Sequence, residues 1–343
     1  MTKKFFAILL ALVLTLSLSA VAFAVDGEPD GGNTQTTPPS ITVGNDRYTD
    51  ITSVTIEKIY KLENEGTTSP EETFTVELVS SSVKTGDATS APALGTITGA
   101  YFAENAATKS GAKANITIAL PTYDKVGVYE YILKETVGST AGVDYRSASD
   151  TIKLVVTVMQ GEDGKVRVAG VHTEGSDSTT KTGSITNTYK AGSLSIMKTV
   201  SGNMADHEKY FEFDVTLTGE TGKTYLNSYA VSGGSDNRNP QIVAINGTSF
   251  KVYLKADETL TIANLPYGVT YTVDEIAYDG YTTTGEVTTA KTINSASVTE
   301  TINNAKAGTV DTGVTMDSMP YIVLLALAVV GLAAVTMKKR YEA

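Results

Sequence analysis

Six polar residues in this chain have the types and spacing to do chemistry together. Lys58, Glu135 and Asn187 follow one another in the first half; Lys198, Glu275 and Asn304 repeat that order in the second. In both triplets the glutamate lies 77 residues beyond the lysine. Each residue also continues an apolar stripe of period two, the spacing that puts side chains on one face of a strand. Val54 and Ile56 lead to Lys58; Tyr129, Tyr131 and Leu133 lead to Glu135; Ile185 leads to Asn187. In the second half Leu194 and Ile196 lead to Lys198, Val269, Tyr271 and Val273 to Glu275, and Ile302 to Asn304.

Burying an unpaired charge is costly, so a core lysine must find a partner or lose its proton. Burial lowers a lysine pKa and raises a glutamate pKa, and both shifts favour neutral groups or a proton shared between them. A neutral lysine amine is a nucleophile. A protonated carboxyl beside a carboxamide polarises its carbonyl and shuttles protons. Attack of the amine on the asparagine side-chain carbon, with loss of ammonia, leaves a Lys–Asn isopeptide bond. The fold supplies proximity, worth about 7–11 kcal/mol of barrier. Tyr131 and Tyr271 are candidates for excluding water. A single strand-end lysine ordinarily reaches out to solvent, and a single strand-end glutamate is ordinarily exposed. The repetition of order, spacing and facing argues against that reading here. Asn303 competes with Asn304, and the shared face with Ile302 favours Asn304.

The elements that must position these residues are strands. From about residue 41 to 306 the chain runs in short alternating stretches rich in Thr, Val, Ile and Tyr, such as SVTIEKIYKL, TFTVELV, GVYEYILKE and GVTYTVDE, punctuated by Gly, Asn, Asp and Ser. ADHEKY (205–210) reads as a short helix at most. The sequence also repeats: NITIALPTYDKVGVYEYILKE (115–135) resembles TLTIANLPYGVTYTVDE (259–275), and SVTIEK resembles SLSIMK. These features predict an all-β chain of two tandem β-sandwiches, residues 41–190 and 191–306, with the boundary near Lys190. Asn187 then closes the first sandwich and Lys198 opens the second.

The ends predict export. Residues 1–24 carry Lys3 and Lys4, an apolar run and an A-x-A pattern at Ala22 and Ala24, which predicts a signal peptide. Residues 25–40, rich in Gly, Pro, Thr and Asp, read as a disordered spacer. A linker, 307–319, leads to a predicted transmembrane helix and basic tail, 320–343, with Lys338, Lys339 and Arg340 on the cytoplasmic side. The formal net charge of −11 disfavours nucleic acid and anionic membrane surfaces as partners. With no cysteine the chain forms no disulfide, a common brace of exported β modules. His172 and His207 are far apart, so neither a metal nor another cofactor is expected. No nucleophile motif, metal cluster or phosphate loop points to an enzyme acting on other molecules.

The chain resembles the two-domain major (backbone) pilins of Gram-positive bacteria, a streptococcal pilin isopeptide-linkage domain followed by a collagen-adhesin B-type domain. VTIEK, GVYEYILKE and SITNTY carry the resemblance in the first half; LSIMKTVSGN, ANLPYGVTYTVDE and TINNAK carry it in the second. It implies Ig-like sandwiches with self-formed bonds Lys58–Asn187, assisted by Glu135, and Lys198–Asn304, assisted by Glu275. It also implies a sortase signal, for which TVDTG offers Thr312 and Gly313 as the cleavage pair, although Asp311 stands where a related VPTG form has proline. The acceptor of the next subunit is a lysine shortly before the last strand of the first domain; Lys181 matches best, with Lys190 and Lys165 as alternatives. Implied partners are a pilus-class sortase, further copies of the chain, accessory pilins and host surface ligands. A monomeric wall-anchored adhesin is the alternative reading, and a surface enzyme the remaining one.

Overall fold

Alternating β-branched and aromatic residues form strands along nearly the whole chain between residues 50 and 308. The computed structural model describes residues 42–43, 50–147, 149–161, 163–175, 183–308 and 319–341. The predicted signal peptide, the spacer, Lys181 and the Thr312–Gly313 pair lie outside the described residues. The chain separates between Pro38 and Pro39, and everything below belongs to the unit Pro39–Ala343.

The first half contains β1 (Thr42–Val43), β2 (Ser53–Leu62), β3 (Glu72–Phe74), β4 (Val76–Gly86), β5 (Ile97–Thr98), β6 (Ala100–Phe102), β7 (Ala112–Ala119), β8 (Gly127–Glu135), β9 (Val143–Asp144), β10 (Thr151–Gln160), β11 (Val166–Glu174) and β12 (Ser184–Tyr189). They form two five-stranded sheets, ordered β1-β11-β10-β8-β4 and β5-β7-β2-β12-β9, with β3 and β6 paired separately. Ile56, Ile116 and Ile185 from one sheet meet Tyr131, Leu133 and Leu154 from the other in a single core. The stretch TFTVELV, expected as one strand, divides at Thr75: β3 pairs with β6, whereas β4 joins β8.

The second half contains β13 (Ala191–Ser201), β14 (Phe211–Thr218), β15 (Tyr229–Gly233), β16 (Ile242–Val243), β17 (Ser249–Leu254), β18 (Thr259–Pro266), β19 (Thr270–Glu275), β20 (Thr282–Thr284), β21 (Val287–Thr292) and β22 (Ser297–Ala305). Sheets ordered β16-β15-β18-β13-β22-β20 and β17-β14-β19-β21 enclose a second core that includes Ile196, Phe213, Ile262, Val273 and Ile302. ADHEKY is a turn rather than a helix. Six residues are too few to repay helix nucleation, and the Asp206 side chain instead accepts the Glu208 amide at 2.9 Å, an Asx-type turn. A helix, α1 (Met319–Tyr341), follows. Among the described residues no helix is long and apolar enough to cross a membrane.

One topological feature recurs and sets up the chemistry. In each half the first long strand lies parallel to and beside the last: β2 with β12, and β13 with β22. Parallel neighbours cannot be joined by a tight turn, so the rest of each half is the crossover. Lys58 sits opposite Ile185 and Asn187 opposite Tyr60; Lys198 sits opposite Ile302 and Asn304 opposite Val200. The asparagine is therefore one diagonal step from the lysine on the same inner face in both halves.

Between β12 and β13 the chain spends a single residue, Lys190, and the two halves are bonded around it. The Asn64 amide donates to the Ala191 carbonyl and the Tyr267 hydroxyl, both at 2.8 Å. Asn264, left-handed at φ 61°, accepts from the Thr68 amide at 2.9 Å and donates back to its carbonyl at 2.8 Å. Gly142 also lies here at φ 77°, where a Cβ would stand 2.7 Å from the Lys190 carbonyl oxygen. Only glycine fits that conformation and that approach.

Candidate functional site

The inner faces converge on two buried polar clusters. In the first, β2 delivers Lys58, β8 in the opposing sheet delivers Glu135 and β12 delivers Asn187. Lys58 is 0% exposed, Asn187 1% and Glu135 2%. The Lys58 Nζ donates to Glu135 Oε1 at 2.5 Å and, in a still shorter contact, to Asn187 Oδ1. The Asn187 Nδ2 donates to Glu135 Oε2 at 3.1 Å, closing a three-membered ring of hydrogen bonds. The amine lies 4.3 Å from the centre of the Phe74 ring.

The second cluster repeats the arrangement with β13, β19 and β22. Lys198 and Asn304 are 0% exposed. The Lys198 Nζ donates to Glu275 Oε2 at 2.8 Å and to Asn304 Oδ1 at 2.6 Å, and the Asn304 Nδ2 donates to Glu275 Oε1. Phe211 and Phe213 flank the amine, with ring centres at 4.4 and 5.5 Å.

Electrostatics push both clusters toward proton sharing. Burial lowers the Lys58 amine to about 8 even though Glu135 pulls it upward. Burial likewise lowers Lys198 against the pull of Glu275, and raises Glu275 against the pull of Lys198. In each cluster the amine faces the carbonyl oxygen of an amide whose nitrogen is bonded to the carboxyl group. This is the arrangement that nucleophilic attack with proton relay requires.

Asn303 is not in the cluster. It points to the opposite face, accepting from Thr199 Oγ1 at 3.1 Å and donating to Ser201 Oγ at 3.2 Å. Tyr131 and Tyr271 are buried, but their hydroxyls are engaged elsewhere: Tyr131 donates to the Pro92 carbonyl and Tyr271 to Glu300. The aromatic walls at the amines are instead Phe74, Phe211 and Phe213. Sequence reasoning missed them because they lie on other strands, and period-two patterning does not report contacts across a core. Lys190 is paired with Asp144 at 2.7 Å, and Lys165 is exposed. Among the described residues no group of three metal-ligating side chains comes together.

Fold and site define a class: a β-sandwich protein in which each sandwich places a buried lysine, glutamate and asparagine in mutual contact. A curated protein named Pilin from Streptococcus pyogenes serotype M1 is 31% identical over 242 residues, covering 64% of this chain and 69% of that protein. The crystal structure of the major pilin from Streptococcus pyogenes matches with a TM-score of 0.51 at 22% identity, over 75% of this chain and 99% of that one. The T-13 major pilin of the same species matches at 0.50 and 20% identity, over 78% and 99%. Residues 192–306 also match a family described as a domain of unknown function (DUF7601). The chain belongs to the pilin family.

Proposed function

We propose that this chain is the shaft subunit of a sortase-assembled surface pilus and that each sandwich, as a separate domain, is braced by a self-formed Lys–Asn isopeptide bond. The observation that carries the reading is the duplicated contact of amine, carboxyl and carboxamide inside two sealed cores. In each reaction the lysine Nζ adds to the asparagine Cγ. The protonated carboxyl group delivers its proton to the carboxamide and recovers one from the attacking nitrogen, and Nδ2 leaves as ammonia. The glutamate ends as it began, so the chain is its own single-turnover reagent and not an enzyme for other substrates.

The braces have a mechanical use. They join neighbouring first and last strands, Lys58 to Asn187 and Lys198 to Asn304. If a sortase cleaves between Thr312 and Gly313 and transfers Thr312 to Lys181 of another copy, subunits join head to tail. That heterologous contact does not close, so it makes a fibre. Tension then runs from Lys181 through β12 and β13 to Lys198, crosses to Asn304 and leaves toward Thr312. Residues 199–303 are bypassed, and forced unfolding of the second sandwich, a matter of unfolding rate, is suppressed. The predicted signal peptide and C-terminal helix would export the chain and hold it at the membrane until processing, and accessory pilins or host ligands would join the fibre.

Boiled cell-wall extracts separate this reading from a monomeric adhesin. The wild-type chain is expected to run as a covalent ladder in SDS gels, and Thr312→Ala and Lys181→Ala are each expected to collapse it to monomer. A monomer from the wild-type chain contradicts the pilus reading; a ladder that survives Lys181→Ala moves the acceptor to another lysine, Lys165 or Lys190 first.

A further inference from the structure

The two triplets are matched in one more position. Eleven residues beyond each glutamate a side chain or amide returns to hold it. The Arg146 main-chain N–H donates to the Glu135 carboxyl at 2.8 Å. In the second half the direction reverses: Glu286 Oε1 accepts the main-chain N–H of Glu275 at 2.9 Å. The same spacing thus brings a guanidinium-bearing residue behind the first glutamate and a carboxylate behind the second. Arg146 carries a fixed positive charge, partly offset by Asp150 at 3.7 Å.

We propose that Glu286 is a positioning residue of the second cross-link: it anchors the main chain of Glu275 and places a negative charge behind the carboxyl group that relays protons between Lys198 and Asn304. This inference rests on the cross-linking reading above. The reaction needs one proton in the lysine–glutamate pair. With none, the carboxylate has nothing to deliver to the departing nitrogen; with two, the amine is not a nucleophile. A neighbouring anion holds that proton in place to higher pH, and a neighbouring cation releases it earlier.

The surroundings agree with that division. Glu275 is faced by Lys198 from β13, Asn304 from β22, Phe213 from β14, Tyr278 from the chain just beyond β19, and Glu286 between β20 and β21. Of these, Glu286 acts to raise both Glu275 and Lys198, opposing burial at the amine and adding to it at the carboxyl. At the first site Lys58 is faced by Glu135, Glu72 and Arg146, and Arg146 acts to lower it.

The test follows both bonds in one molecule. Full-length chain is made by cell-free translation, chased across a range of pH and digested, and the two cross-linked peptide pairs are quantified by mass. Glu286→Gln keeps an acceptor oxygen for the Glu275 amide and removes only the charge. It is expected to move the alkaline fall-off of Lys198–Asn304 formation down by about one pH unit, a rate loss of about tenfold on that limb. The Lys58–Asn187 bond in the same chain should be unchanged, and Glu286→Asp should restore the profile. Arg146→Gln, which keeps its main-chain N–H, is expected to move the fall-off of the first bond the other way, to higher pH, and remains informative if Glu286→Gln does not fold. A Glu286→Gln profile that coincides with the parent, or an Arg146→Gln limb that stays or moves down, overturns the proposal. A parent chain that never forms the Lys198–Asn304 bond overturns the cross-linking reading itself, so the two failures are told apart.

Discussion

The first and second sandwiches carry the same triplet in the same register, yet they surround it differently. Lys58 leans on one phenylalanine and Lys198 on two. The carboxyl of Glu135 accepts a main-chain N–H from Arg146, whereas the second glutamate has an anion at its back. The geometry of attack is thus held constant while the field around it varies. What the comparison teaches is that contact among amine, carboxyl and carboxamide is the feature the two sandwiches share, while the charge beyond it differs; under the cross-linking proposal, that charge would set the working pH of each bond.

The strongest way to break the comparison is to remove one glutamate. Glu135→Ala is expected to abolish the Lys58–Asn187 bond and leave Lys198–Asn304 intact, and Glu275→Ala the reverse. Peptide mapping of each variant checks this, and loss of both bonds from one substitution would mean that the sandwiches do not act independently.

Next in size is the stability each proposed bond would confer. By analogy with disulfides, a closed loop of ~100 residues contributes about 4–5 kcal/mol through the unfolded state. The proposed first bond would span 129 residues and the second 106, a difference that changes loop entropy by only a few tenths of a kcal/mol. Asn187→Ala and Asn304→Ala are therefore expected to lower the urea midpoint of their own sandwiches by similar amounts. A large inequality would locate the difference in the native cores.

The aromatic walls come third. Phe74→Ala and Phe211→Ala each empty a fully buried site, at a cost of about 3–5 kcal/mol, and let water reach the amine. Slower bond formation is expected in the altered sandwich alone, measured by the same peptide mapping.

The pH dependence of the first bond sharpens the contrast without altering its core. Burial lowers Lys58 to about 8, so its ammonium form is lost as pH rises through that value. Formation of the Lys58–Asn187 bond is expected to decline above it, checked by the initial rate of ammonia loss.

Much of this architecture was legible because a strand buries alternate residues. The stripes ending in Lys58, Glu135, Asn187, Lys198, Glu275 and Asn304 are buried on every second residue, as their spacing implied. Asn304 could be told from Asn303 by its shared face with Ile302. Other features carry no such mark. Phe74 reaches Lys58 because the chain breaks at Thr75 and hands β3 to a different partner, a choice made by tertiary packing and not by local pattern. Arg146 and Glu286 sit in connections after the strands, where no periodicity operates. Only the recurrence of eleven residues could have linked them, and its significance is visible only once both glutamates are known to be held from behind.

The intact mass of residues 25–312, expressed alone, tests the central claim most directly. The account predicts a mass below that of the plain sequence by two molecules of ammonia, with one restored by Glu135→Ala and one by Glu275→Ala. A mass equal to that of the uncondensed chain would contradict it.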